Sequence, residues 1–262
     1  MRKNEASKSF LILLILIIIS GTIVNFKYIS VKAYEKEKQT KNKTVLIDPG
    51  HGGIDGGAVS KSGTIEKDIN LKIALKLKKS LEEKGFNVIM TRECDKGLYS
   101  DQGKIRDKKN EDLNNRCKMK GETNCDAFVS VHLNMFEQSQ YYGAQVWYSK
   151  EGESSQLAHI IQQNLSKDLK NNNQRKEKSA KGAYKILRCF DGIPSVLIEC
   201  GFLSNPTEEE KLKIDSYQQE ISNSISKSIE EFFIIKEKRD KEITKIENDK
   251  VDESIVEKKN KE

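Results

Sequence analysis

A chain of 262 residues with Lys+Arg 46 against Asp+Glu 40 carries a formal charge of +6. Charge this mixed, with no aromatic residues interleaved among the basic ones, argues against nucleic acid as a partner, while the small positive excess suits an anionic surface such as a membrane or a cell wall. Both ends are unfit for a core, which leaves one globular domain of roughly 190 residues between them.

At the N-terminus, Arg2, Lys3 and Lys8 precede the uncharged apolar run Phe10–Phe26, which Lys27 closes. This is an export signal over residues 1–33. The run is long for the apolar centre of a cleaved signal and short for a spanning helix of about 20 residues, so cleavage and retention as a membrane anchor both stand open. "VKA" at Val31–Ala33 has the small residues a cleavage site needs, and the basic N-terminal flank directs the rest of the chain outward. Residues 34–43, charged and without pattern, read as a spacer. The 5 cysteines are an odd number with no CxxC pair, which argues against a disulfide framework and for buried small hydrophobes, with room for one closed pair.

The putted-together domain runs from 44 to 235. "TVLID" is a buried strand, and the glycine-rich loop "PGHGGIDGGAVSKSG" follows it. The segment 64–85 alternates like a strand at Ile69, Leu71, Ile73, Leu75 and Leu77, yet its length, its Leu, Ala, Lys and Glu content and Gly85 at its end predict a helix. Thr64 is the expected N-cap, with Glu66 in the first turn. Next come a strand at Phe86–Arg92, a polar loop, a helix between Asp107 and Gly121, and the apolar strand "DAFVSVHLN". A strand at Gly143–Ser149, a helix from Glu153 to about Asn171, and a basic loop lead to "PSVLIECGFLSN", a strand ending on a glutamate. One or two terminal helices close the domain, and residues 236–262 read as a charged, disordered tail. Strands alternating with helices predict a single α/β domain with a mainly parallel, twisted sheet of about six strands flanked by helices. No internal repeat suggests an array of wall-binding modules.

Sites on such sheets form beyond the carboxyl ends of the strands. His51, His132 and Glu199 fall at such ends, and Glu66 opens the helix that returns from the first. Two imidazoles and a carboxylate from separate elements, with a position left for water, suit catalytic zinc, and a further carboxylate would then be the general base. Each residue also has a plainer reading. A first-turn glutamate complements the helix dipole, His132 serves as a satisfied core histidine, and His159 is a surface or packing residue. His51 is the more telling histidine because its flanking glycines clear space, and an isolated carboxylate at Glu199 would be costly to bury without a partner.

The stretches "VLIDPGHGGIDGGA", "EKDINLKIALKL", "FVSVHLN" and "PSVLIECGFLSNPTE", in that order, resemble the zinc-dependent N-acetylmuramoyl-L-alanine amidases of the type-3 family. The resemblance spans Thr44 to Phe233. It implies zinc held by His51, Glu66 and His132, Glu199 as the catalytic carboxylate, and peptidoglycan as substrate, cut between N-acetylmuramic acid and L-alanine. "GAQVWY" with Gln145, together with the apolar N-terminus, is similar to the germination-specific, spore-cortex amidases, in which peptide removal prepares muramic-δ-lactam formation. Asn134 and Arg188 are candidate substrate contacts, with packing or surface roles as the alternative. Leu133 stands where the family commonly has alanine, and the loop Cys94–Lys109 carries no family motif. No autoinhibitory helix is expected between Asn134 and Gly143, so control would fall to expression or to an activating partner protein. Two other readings remain at this level: a zinc peptidase cutting within the stem peptide, and a non-catalytic peptidoglycan-binding protein.

Overall fold

The computed structural model describes residues 42–259, with side chains through 247. The expected export signal and most of the spacer lie outside the described residues. Among the described residues, no helix is long and apolar enough to cross a membrane.

Six strands, β1 (Thr44–Pro49), β2 (Asn87–Met90), β3 (Ala127–Asn134), β4 (Gln145–Tyr148), β5 (Lys178–Ser179) and β6 (Ser195–Phe202), form one sheet in the order β2-β1-β3-β6-β4-β5. The pairs β1–β2, β1–β3, β3–β6 and β4–β5 are parallel, and β4 runs antiparallel to β6. The helices are α1 (Glu66–Glu82), α2 (Ile105–Glu122), α3 (Glu153–Asp168), α4 (Lys185–Arg188), α5 (Pro206–Leu212) and α6 (Asp215–Lys259).

The central strands read as continuous apolar runs because both faces of the sheet are covered. Since side chains alternate along a strand, Val45, Ile47, Val129, Val131, Val146, Val196 and Ile198 share one face. They pack with Ile73 and Leu77 of α1, Leu157 and Ile161 of α3, and Ile225 and Phe232 of α6. Leu46, Phe128 and Leu197 face the other way, toward Cys117 of α2 and Ile186 and Leu187 of α4. On that second face the same alternation carries Asp48, Ser130, His132 and Glu199 toward the carboxyl edge, and strand register sets His132 beside Glu199 and Glu199 beside Gln145. A register shift then follows between His132 and Asn134, so β6 carries an extra residue just past Glu199.

Helix α2 has no apolar stripe, and its buried residues are Arg116, Cys117 and Lys120. Lys120 donates to the carbonyls of Ile186 and Cys189, and Cys117 forms a disulfide with Cys189. One pair of cysteines is therefore closed, while Cys125 and Cys200 are buried thiols and Cys94 is exposed.

Several boundaries differ from the sequence reading. Helix α1 is capped by Ile65, whose apolar side chain has no acceptor to offer, while the Thr64 hydroxyl donates to Glu209. The basic loop contains the short β5 and α4. Strand β6 passes Glu199 and ends at Phe202, so the glutamate lies within the strand. The expectation of a disordered tail from 236 is also corrected: α6 continues to Lys259, and its charges find partners, Lys236 and Arg239 reaching Glu153 and Lys241 pairing with Glu237. Between Asn134 and Gly143 there is no helix.

Candidate metal centre and active site

Strand β1 ends at Pro49, and the chain turns through Gly50 into His51, whose φ of 63° lies in the left-handed region. That turn directs the imidazole toward the first residue of α1. His51 Nε2 lies 3.3 Å from Glu66 Oε2, and His51 Nδ1 lies 2.8 Å from Asp55 Oδ2. From β3, His132 brings Nδ1 to 3.1 Å from Glu66 Oε1. The two rings meet edge to face with centroids 4.9 Å apart.

Glu66 is 3% exposed, and backbone donors hold its carboxylate in place. Oε1 accepts from Leu133 N (3.0 Å) and from the Asn70 side chain (3.2 Å), and Oε2 accepts from Ala58 N (2.8 Å). The glycines around His51 serve the candidate ligands themselves. A Cβ on Gly50 would stand 2.3 Å from His132 Cε1, and one on Gly57 would stand 2.5 Å from Glu66 Oε2 and 2.7 Å from His51 Cδ2. They are the clearance that lets two rings and a carboxylate converge, rather than room for substrate.

The charges are strongly coupled. Burial favours a neutral His51 ring, but its hydrogen bonds to Asp55 and Glu66 win and raise it to about 9. Burial likewise favours a protonated Glu66, and His132 and His51 outweigh it, holding the group well below the usual carboxylate range. Glu199 goes the other way. Burial lifts it to about 7, with attraction from His132 and repulsion from Glu66 in opposition. Among the described residues, nothing hydrogen-bonds to its buried Oε2.

His51, Glu66 and His132 each offer a donor atom, and these lie within 4.8 Å of one another. Two imidazoles and a carboxylate are a donor set that fits zinc: ligands at about 2.0–2.1 Å in a tetrahedron stand about 3.3 Å apart, and each histidine comes that close to one oxygen of Glu66, within a cluster that spans up to 4.8 Å. His51 supplies the sharper test. With Nδ1 against Asp55 and Nε2 against Glu66, both ring nitrogens face carboxylates. That arrangement needs either a second proton or a metal cation at Nε2, and a carboxylate on the far nitrogen is the usual support of a metal-binding histidine.

The cavity beside the cluster is lined by His51, Asp55, Lys109, Asp112, His132 and Ile186, among others. The structure therefore brings together His51, Glu66 and His132, and sets Glu199 on the neighbouring strand in register with His132. Of the candidate substrate contacts, Asn134 ends β3 half-buried, with its carbonyl accepting from Leu203 N. Arg188 is exposed at the end of α4, and it is Ile186 of that turn that lines the cavity. His159 is an exposed residue paired with Glu177. Sequence reasoning missed Asp55, although its place four residues after His51 in the same loop is a usable signal. It also missed Asn70, Arg92 and Arg116, which are ordinary helix and strand-end residues in the sequence.

Comparison with known proteins bears on the same region. Residues 45–231 match the Amidase_3 family model, described as N-acetylmuramoyl-L-alanine amidase. The germination-specific N-acetylmuramoyl-L-alanine amidase of Bacillus subtilis is 39% identical over 193 residues, covering 73% of this chain and 80% of that protein. The probable cell wall amidase LytH of Staphylococcus epidermidis is 34% identical over 74% of this chain and 59% of its own length. Among solved structures, the CwlD amidase from Clostridioides difficile in complex with the GerS lipoprotein superposes with a TM-score of 0.72 at 44% identity, covering 74% of this chain and 100% of that one. The chain belongs to the Amidase_3 family and is an N-acetylmuramoyl-L-alanine amidase of peptidoglycan.

Proposed function

We propose that the enzyme hydrolyses the amide between the lactyl group of N-acetylmuramic acid and L-alanine with zinc held by His51, Glu66 and His132, and with Glu199 as general base. The observation that carries this reading is the placement of His51 between two carboxylates, with His132 on the same Glu66 carboxylate, an arrangement that a metal cation at Nε2 would satisfy in place of a second proton. Zinc bound there would supply Lewis acidity, lowering the pKa of water toward about 7 and polarising a carbonyl. Asp55 fixes the orientation of the His51 ring, and the backbone donors on Glu66 fix the carboxylate. Glu199, buried on the strand beside His132 with its carboxyl raised by burial in the metal-free site, is the group placed to take a proton. In the reaction it accepts a proton from the attacking water as the carbon–oxygen bond forms. It then returns that proton to the nitrogen as the carbon–nitrogen bond breaks, leaving a lactyl carboxylate and a free alanine amine. Asn134, at the end of β3, and Arg188 are the substrate contacts in this reading.

Spore cortex is the site of action we infer, with peptide removal preparing muramic-δ-lactam formation. The likeness to the germination-specific amidase supports this. Action outside the cytoplasm accords with the likeness to a cell wall amidase and with the apolar N-terminal run. The CwlD amidase was solved in complex with a lipoprotein, which supports an activating partner here too. The test is to incubate the purified full-length protein with peptidoglycan, with and without added zinc, while measuring bound metal. Release of stem peptides with a new N-terminal alanine in step with zinc content is the expected result. Cuts within the stem, or turnover independent of zinc, would refute the proposal.

A further inference from the structure

The turn that presents His51 has three successive carbonyls, of Pro49, Gly50 and His51, at the point where β1 ends. Two arginines bind all of them. Arg92 donates through Nε to Pro49 O (3.0 Å) and through Nη2 to Gly50 O (3.0 Å) and Lys67 O (2.9 Å). Arg116 donates through Nη1 to Pro49 O (3.0 Å) and through Nη2 to His51 O (2.7 Å). The two side chains are 1% and 2% exposed. The charge of Arg116 is balanced by Asp48 beneath it and by Asp112 one turn away on α2.

A buried guanidinium network is a costly way to gain cohesion, since apolar side chains of similar volume often stabilise a fold as well. A planar fork with fixed donor directions offers something apolar packing does not, namely control over where carbonyls point. The carbonyls in question belong to a histidine held at a φ of 63°, a conformation side chains other than glycine seldom adopt. Arg92 also grips Lys67 O, the residue after Glu66, so one clamp joins the His51 turn to the start of α1. Helix α2, with no apolar stripe of its own, is anchored on this face by Arg116, Cys117 and Lys120.

We propose that Arg116, oriented by Asp112 and working with Arg92, is a positioning residue that holds His51 in its left-handed conformation and so sets the spacing between His51 Nε2 and Glu66. The inference rests on the reading of His51 as a zinc ligand. Arg116→Lys keeps the charge and removes the fork, and Asp112→Ala leaves the fork without its outer support at a side chain 13% exposed. In the full-length protein, Arg116→Lys is expected to weaken zinc binding, measured by chelator competition, about 10- to 100-fold, as loss of outer support at metal sites does. Asp112→Ala is expected to weaken it several-fold, and the visible absorption of the cobalt-substituted protein should shift in both. A purely structural role would lower the thermal midpoint and leave affinity and cobalt spectrum unchanged. Zinc affinity within about two-fold of wild type and an unaltered cobalt spectrum in the folded variants would overturn the proposal while leaving the amidase mechanism intact. If Arg116→Lys does not fold, Asp112→Ala decides. A wild-type protein that binds neither zinc nor cobalt would remove the mechanism and this inference together.

Discussion

Gly50→Ala isolates the convergence of the candidate ligands from every other property of the loop. Gly50 has no left-handed φ, so alanine suits its backbone, and the added methyl is the whole perturbation. That methyl would stand 2.3 Å from His132 Cε1, 2.4 Å from Nε2 and 2.6 Å from Nδ1. Unbonded carbons rest at about 3.5 Å or more, so the ring must retreat by about 1 Å. The backbones cannot share that movement cheaply, because Gly50 N donates to Val131 O at 2.9 Å, one residue from the histidine. Metal–ligand distances tolerate only about 0.2 Å. His132 is therefore lost as a ligand, and zinc affinity is expected to fall at least about 100-fold. Overpacking should cost about 1–3 kcal/mol, lowering the thermal midpoint by roughly 3–10 °C. Chelator competition, differential scanning calorimetry and stem-peptide release from peptidoglycan measure the three effects. A variant that keeps zinc affinity within a few-fold and full activity would show that His132 does not sit over Gly50 in the working enzyme.

Further outcomes follow from individual groups. Glu199→Gln should retain zinc and lose about 10² to 10⁴ in turnover; equal rates with bound metal would exclude Glu199 as the base. Burial would raise the Asp48 carboxyl, but Arg116, Ser130 and Thr91 lower it from 3.8 to about 2. A depressed folded pKa contributes stability that is present above pH 4 and lost as pH falls toward 2, here about 2 kcal/mol. Denaturant unfolding of the metal-free protein at pH 5 and pH 2.5 should show that loss on top of those from other depressed carboxyls such as Asp55 and Glu66, and Asp48→Asn should shrink the difference by about 2 kcal/mol; a difference unchanged in the variant would refute the assignment. Reduction of Cys117–Cys189, which closes a span of 72 residues, should cost up to about 4 kcal/mol by the loop-entropy relation. An unfolding midpoint unmoved by reductant would show that the bond is not formed in solution.

The central strands were legible because burial on both faces leaves long apolar runs, and α1 was legible because its length and composition settle an ambiguous period. Orientation was not. Nothing in "GAQVWYS" distinguishes an antiparallel β4 from a parallel one, since that depends on the route taken by the chain after β3. The tail was misread because composition speaks only to core formation. Residues 236–247 bury little, yet they extend a helix already nucleated by packing and add ion pairs along and across it. His51, Glu66, His132 and Glu199 each stood out in the sequence as polar residues beside an apolar strand or at a helix start, although Glu199 lies within β6 rather than at its end. Their supports were not, because Arg92 and Arg116 act on backbone carbonyls, and a sequence carries no mark of where a carbonyl points. The purpose of Gly50 and Gly57 also needed coordinates, since close approach is a relation between distant residues.

The carboxylate of Glu66 is already engaged on both oxygens by Ala58, Leu133 and Asn70, with no metal needed to orient it. A coordination shell built before its ion arrives selects by shape. Magnesium, which demands octahedral oxygen coordination and sheds water reluctantly, finds two nitrogens and too few oxygens here. If the cluster holds zinc as proposed, the same fixed carboxylate would also screen the commoner cellular cation out.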